Sequence, residues 1–283
     1  MEQDSSIRVK DIMNAPIGIE SGTTLDKVID KLLTHRISRL IIYKEKKPIG
    51  MVSEKDILNY LYQEKLHTHI NKVPINEIMH DIFFITSSST IPEAAKFMIE
   101  NRCSSIAVGS EENLLGIVTK TDITKYYAQR YQGKNQVAKK MSVNYFSALA
   151  NDSIYDLIGT MLDLEISRMA IIYKTQKPVG IISTGDIFRT VLDIEANETT
   201  KKMLNLSREY ENFWTRYGEF CSQPAEKIMS RGIIQVKENE DLANACQMIL
   251  DKGINALLVE DSEGRLVGII GKREILSALA DLT

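Results

Sequence analysis

The stretch Gly50–Leu58 reads GMVSEKDIL, and three near copies follow: GIVTKTDIT from Gly116, GIISTGDIF from Gly180 and GIIGKREIL from Gly268. Glycine and an apolar run suit a buried strand, and Ser/Thr followed three residues later by an acid suits the start of a helix. Each copy follows a short segment ending in Met13, Met79, Met141 or Met229, at spacings of 37, 37, 39 and 39 residues. The regular spacing makes the phrase part of an internal repeat, and repeats decide a fold before any other signal does.

Between each Met and its glycine the pattern has helical period. Leu25, Val28, Ile29, Leu32 and Leu33 form the first ladder, and Ile91, Ala94, Ala95, Met98 and Ile99 the second. Ile154, Leu157, Ile158, Met161 and Leu162 form the third, and Leu242, Ala245, Cys246, Ile249 and Leu250 the fourth. All follow the i, i+3, i+4, i+7, i+8 stripe of an amphipathic helix. Thr24, Thr90, Ser153 and Asp241 stand where an N-cap belongs, and Thr90 with Glu93 reads as a capping box. Apolar strands follow: RLIIY from Arg39, SIAVG from Ser105, RMAIIY from Arg168 and ALLVE from Ala256.

The expected fold is therefore α/β, with four β-α-β-β-α repeats of about 60 residues paired into two pseudo-symmetric tandem modules. The repeats span 7–66, 72–132, 135–192 and 222–283, with a helical insert at 193–221. IIYKEKKPIGMVS in the first resembles IIYKTQKPVGIIS in the third, and VGSEENLLGIVT in the second resembles VEDSEGRLVGIIG in the fourth. This reads as a duplicated pair, with repeats one and two in one module and three and four in the other. A unit this small buries too little surface to stand alone, so pairing is expected.

Composition narrows the class. A hydrophobic fraction of 43% with 26% charged residues is that of a globular chain. No apolar run approaches the roughly 18 residues that span a bilayer, and MEQDSSIRVK lacks the apolar core of a secretory signal. Cys103, Cys221 and Cys246 form neither a disulfide framework nor a metal-ligand spacing. A cytoplasmic location with no membrane association is expected. The net charge of −3 argues against a dedicated nucleic-acid-binding domain.

With four copies of G-apolar-x-[ST]-x-x-D, the fourth altered, in register with the Met segments, the sequence resembles the cystathionine β-synthase (CBS) domain family over nearly its whole length. The paired units resemble Bateman modules. The resemblance implies ligand sensing, most often of adenosine-containing molecules such as AMP, ADP, ATP or S-adenosylmethionine, in a stand-alone homodimeric regulator of another protein. An adenine nucleotide is the expected ligand, with no catalytic cofactor, no metal and no enzymatic activity. No glycine-rich phosphate loop or nucleophile elbow appears.

The candidate nucleotide-binding residues follow from the phrase and the resemblance. Asp56, Asp122 and Asp186 could each accept both ribose hydroxyls through one carboxylate. Ser53, Thr119 and Ser183 open a helix, where hydroxyl and free amide groups favour an anion. Arg39 and Arg168 match the basic position that the family uses for phosphate, and the planar guanidinium suits that task. Ile17, Phe83, Tyr145 and Ile233, four residues after each Met, match the positions where the family packs and backbone-bonds adenine. Ser/Thr-x-x-Asp is equally a helix cap that needs no ligand. The arginines favour binding in repeats one and three. Repeat two has Ser105 at that position and is the weaker candidate, through Phe83, Thr119 and Asp122. Repeat four departs at Ala256, Gly271 and Glu274.

Three features lie outside the repeated phrase. In the insert, Tyr210, Phe213, Trp214 and Tyr217 fall on one helical face. That face reads either as packing or as a docking surface, and the second reading would make the chain a scaffold or inhibitor of a large assembly, an enzyme complex or ribosome, with vestigial clefts. The tyrosine-rich basic linker KYYAQRYQGKNQVAKKM (125–141) reads as a solvated face or as an RNA contact. His67 and His69 lack further ligands at metal spacing and read as loop histidines.

Overall fold

A computed structural model describes residues 7–64, 66–175, 178–193, 213–229 and 235–281. The α/β order holds in all four repeats. The first contains β1 (Gly18–Glu20), α1 (Leu25–His35), β2 (Arg39–Lys44), β3 (Lys47–Ser53) and α2 (Glu54–Gln63). The second contains β4 (Phe84–Ile85), α3 (Ile91–Glu100), β5 (Ser105–Gly109), β6 (Leu114–Thr119) and α4 (Lys120–Arg130). In the third come β7 (Ser147–Leu149), α5 (Ile154–Asp163), β8 (Arg168–Ile172), β9 (Pro178–Ser183) and α6 (Thr184–Asp193). Helix α7 (Phe213–Cys221) precedes β10 (Gln235–Lys237), α8 (Leu242–Asp251), β11 (Ala256–Glu260), β12 (Leu266–Gly271) and α9 (Lys272–Ala280).

Each repeat builds a three-stranded sheet in chain order, the first pair of strands parallel and the second antiparallel. One residue is bulged at the same place in all four, immediately before the repeated glycine: Ile49, Leu115, Val179 and Val267 are skipped in the register. Most helix starts behave as their sequence predicts. Thr90, Ser153 and Asp241 cap α3, α5 and α8 through their side chains. Thr24 holds the N-cap position but makes no side-chain cap bond, and the first α1 amide, of Leu25, donates instead to the Val73 carbonyl at 2.9 Å.

Core packing groups the described residues into two compact units. The described residues of 17–81 and 146–232 form one compact unit, and those of 1–16, 82–145 and 233–283 form the other. Repeats one and three thus share a core, as do two and four. In the first unit α2 packs on α5 and α6, and in the second α9 packs on α3 and α4 while α4 packs on α8. The physical reason is the helix stripes: Leu25, Val28, Ile57, Leu61, Ile154, Leu157, Ile187 and Phe188 are all 1% exposed or less and close one cluster. Like helix faces in like repeats meet each other.

The Met segments also dock away from their own phrase. The segment ending in Met13 lies along β6 of repeat two, where Asn14 and Ile117 exchange backbone hydrogen bonds of 2.9 Å. The segment ending in Met79 lies along β3 of repeat one through Met51 and His80, again at 2.9 Å. Ser142 pairs with Ile269 of repeat four in the same way. The repeated glycine makes room for this. A β-carbon on Gly116 would sit 2.6 Å from the Met13 sulfur, one on Gly50 3.0 Å from that of Met79, and one on Gly268 2.9 Å from that of Met141.

Two features resolve into packing. Phe213, Tyr217, Phe220 and Cys221 of α7 are buried in the first unit's core, and Trp214 donates from Nε1 to the Thr68 carbonyl at 3.0 Å and stacks on His67. The described part of the aromatic stripe is therefore not a docking surface, and Tyr210 lies outside the described residues. In the linker, Tyr126 and Tyr127 are buried, and Tyr131 stacks on Tyr127 at 4.9 Å, which takes these rings away from an RNA-facing role. Among the described residues no helix is long and apolar enough to cross a membrane.

The packing of methionine on glycine yields a stability prediction. Gly116→Ala should cost about 1–3 kcal/mol in urea unfolding, and clearly less in a Met13→Ala background. Gly218→Ala, inside α7 with nothing within 4 Å of its β-carbon, should instead stabilise by about 1 kcal/mol. Equal costs of Gly116→Ala in both backgrounds would show that Met13 is not what the glycine accommodates.

Candidate functional site

Strand register sets the site. Pairing of β2 with β3 places Arg39 opposite Ser53, and pairing of β8 with β9 places Arg168 opposite Ser183. Directly opposed residues of an antiparallel pair have β-carbons about 5 Å apart. Each arginine therefore stands beside the hydroxyl, and one helical turn on stands the carboxylate of Asp56 or Asp186. In repeat two the same register sets buried Ser105 opposite Thr119, and in repeat four Ala256 opposite Gly271.

The capping arrangement exists in every copy. Ser53 donates its amide and its hydroxyl to Asp56 Oδ2 at 2.8 and 2.6 Å. Thr119 does the same to Asp122 at 2.8 and 2.7 Å, and Ser183 to Asp186 at 2.9 and 2.6 Å. Gly271 donates only its amide, to Glu274 Oε2 at 2.9 Å. These bonds all run to one carboxylate oxygen. The second oxygen of Asp122 accepts from Asn14 Nδ2 at 2.8 Å, and that of Asp186 from Arg189 Nη2 at 3.3 Å. Capping and ligand binding therefore do not exclude each other.

Two of these neighbours have no counterpart in the sequence reading. His80 brings Nε2 to 3.4 Å from Asp56 Oδ2, and Asn14 bonds Asp122; each directly follows a segment Met. That shared position was the available signal, legible only once the segments are known to dock on a different repeat.

The expected adenine positions are placed unevenly. The carbonyls of Ile17 and Phe83 accept from Ile41 and Ala107 as their sheets begin, and in repeat three the carbonyl that accepts equivalently, from Ala170, is that of Phe146. Repeat three has one more residue between Met and strand, so Phe146 rather than Tyr145 is equivalent to Ile17 and Phe83. Tyr145 itself is grouped with the residues of the second unit. Phe83 is 37% exposed and lies edge-on to Phe97, with ring centres 5.9 Å apart. Ile233 lies outside the described residues.

A buried acid joins the two halves of the first unit. Glu54, the first residue of α2, is 9% exposed, and its carboxylate lies 3.9 Å from Arg189 Nη1. A β-carbon built on Gly185 would lie 3.0 Å from Glu54 Oε2 and 3.2 Å from Arg189 Nη2. Glu54 of repeat one thus rests on the first turn of α6, inside the Ser183-to-Asp186 phrase of repeat three.

The CBS domain family matches residues 9–63, 75–129, 136–193 and 225–281, and the chain belongs to this family. The uncharacterized protein MJ1225 of Methanocaldococcus jannaschii is 21% identical over 275 residues, which cover 91% of this chain and 93% of that one. Its crystal structure superposes with a TM-score of 0.80 over 97% of this chain and 100% of that one, at 20% identity. An uncharacterized conserved protein of Pyrococcus horikoshii superposes with a TM-score of 0.64 over 96% of this chain and 100% of that one, at 18% identity. A homoserine O-acetyltransferase of Methanohalobium evestigatum is 29% identical over 140 residues, 49% of this chain but only 27% of that enzyme.

Glu54 gives the site a pH signature. Burial pushes its carboxyl up from 4.5 to about 7, against the pull of Arg189 and Arg39 and with the push of Asp186. Between these values the unfolded chain holds the charged form and the folded chain the neutral one. The stabilising contribution is thus fully present below pH 4.5 and is lost as pH rises to about 7. Against Glu54→Gln, the wild-type chain should lose on the order of 3 kcal/mol of unfolding free energy across that window. Parallel stability curves would mean that Glu54 ionises in the folded protein as freely as in water.

Proposed function

We propose that the chain is an adenine-nucleotide-binding regulatory protein, in which ligand changes the arrangement of modules or the affinity for a regulated partner. The cross-strand placement of Arg39 beside Ser53 and Arg168 beside Ser183, each a helical turn from an aspartate, carries the reading. A cap needs the hydroxyl and the acid but has no use for the guanidinium. The chemistry matches a nucleotide monophosphate unit: a bidentate cation and hydroxyl for phosphate, and a carboxylate with a free lone pair for the ribose diol.

On this reading Ile17, Arg39, Ser53 and Asp56 serve one site, and Arg168, Ser183 and Asp186 a second, with Phe146 toward the base. Phe83, Thr119 and Asp122 make a weaker third, where Ser105 replaces the arginine. The similar MJ1225 is described as a candidate archaeal homologue of g-AMPK. The protein acts without catalysis, as a cytoplasmic homodimer. The coupling to a partner can be no larger than the ligand's differential affinity for the two arrangements.

Isothermal titration with AMP, ADP, ATP and S-adenosylmethionine tests this. Micromolar binding is expected, with one site lost in Asp56→Ala and another in Asp186→Ala, each variant still folded. The cap bonds that these variants forfeit should lower stability by about 1 kcal/mol. Variants that lose stability while the parent binds none of the four ligands would reduce the phrase to helix capping.

A further inference from the structure

The two units carry opposite charge at equivalent junctions. Glu54 and Lys272 are each the first residue of the helix that follows their phrase. Glu54 reaches the second residue of α6, Gly185, and Lys272 reaches the second residue of α4, donating from Nζ to Thr121 Oγ1 at 3.0 Å and to Asn255 Oδ1 at 3.2 Å. One unit therefore places a carboxylate, and the other an ammonium, within a turn of a Ser/Thr-x-x-Asp helix start. The corresponding positions of the other phrases hold Lys55, Thr121 and Arg273, and only the phrase facing Glu54 holds a glycine there. Gly185 leaves space for the acid, since any β-carbon would crowd Oε2.

A carboxylate there acts on anything negative that enters. Arg189 is shared between Asp186 at 3.3 Å and Glu54 at 3.9 Å. A ligand phosphate at the Ser53 or Ser183 helix start lies in the field of Glu54, which Arg189 neutralises only in part because Asp186 shares it. Each added phosphate charge makes that less favourable, while an uncharged adenosine compound is unaffected.

We propose that Glu54 is a specificity-determining residue that sets how much negative charge the first unit accepts, disfavouring polyphosphates at the Ser53 and Ser183 helix starts against uncharged or singly phosphorylated adenosine compounds. The inference rests on the nucleotide reading for its ligand class and on the Glu54–Gly185–Arg189 geometry for its direction. Its pH dependence follows from the groups that face Glu54, which are Arg189 and Asp186 from α6 and Arg39 from β2. Protonation of the buried carboxyl below about 7 removes the repulsion.

The test is titration of the full chain, wild type and Glu54→Gln, with 5′-methylthioadenosine, AMP, ATP and inorganic tripolyphosphate at pH 8 and pH 6. Removing one facing charge should tighten ATP and tripolyphosphate about tenfold at pH 8 and leave methylthioadenosine within about twofold. The wild type should gain the same tightening on going to pH 6, and the variant should not; this series carries the test should the variant fail to fold. In the second unit Lys272→Gln should weaken tripolyphosphate. AMP binding with an unchanged ATP-to-methylthioadenosine ratio overturns the role of Glu54 and leaves nucleotide binding standing. A tripolyphosphate gain without binding of any adenosine compound supports Glu54 and overturns the nucleotide reading. No binding of any probe by either protein overturns both.

Discussion

A methionine side chain laid across a bare strand backbone is the contact from which the rest of the site follows. At Gly50, Gly116 and Gly268 the space that a β-carbon would fill is taken by Met79, Met13 and Met141, and by the carbonyl of the residue after each. The approach is closer than a β-carbon ordinarily makes, most of all at Gly116, so a larger residue there would have to push the methionine and its neighbouring carbonyl aside. A bulge stands immediately before the glycine, where the strand's pairing register shifts by one residue. Two backbone hydrogen bonds then fix the segment, and the next side chain arrives beside an aspartate, as Asn14 does at Asp122 and His80 at Asp56.

The same atoms serve helix and site. Oδ2 of each aspartate closes the first turn of its helix by accepting the amide and hydroxyl of the Ser or Thr three residues earlier. This holds the carboxylate in one rotamer, so that it is positioned before any ligand arrives. Repeat four shows what remains when the hydroxyl and the cross-strand arginine are both absent. Gly271 and Glu274 still start a helix, through one amide-to-carboxylate bond, without the groups that would recognise phosphate.

Repeats one and three share a core, as do two and four. Helices that pack on their own counterparts face matching demands for shape, and α2 and α6 place Ile57 and Ile187, Leu58 and Phe188, and Leu61 and Val191 at equivalent buried positions. Polar residues at the helix starts escape that demand. There the units diverge, Glu54 over Gly185 in one and Lys272 at Thr121 in the other.

The chain's own pattern determined the number of repeats, the order of elements in each, the bounds of the helices, and the hydroxyl, acid and arginine positions of the phrase. Those depend on period-3.6 stripes, capping residues and fixed spacings, which are local properties. Aromatic residues in the insert and linker were legible as features but not as core, because burial of Phe213 or Tyr127 is set by what packs on them. Spacing from Met could not reveal that repeat three begins its strand one residue later, with Phe146 in the register position of Ile17 and Phe83. Which repeats share a core, which strand each Met segment joins, and the meeting of Glu54 with Gly185 and Arg189 were decided by tertiary structure alone. Each is a contact between residues far apart in the chain, chosen by the fit of surfaces that no spacing records.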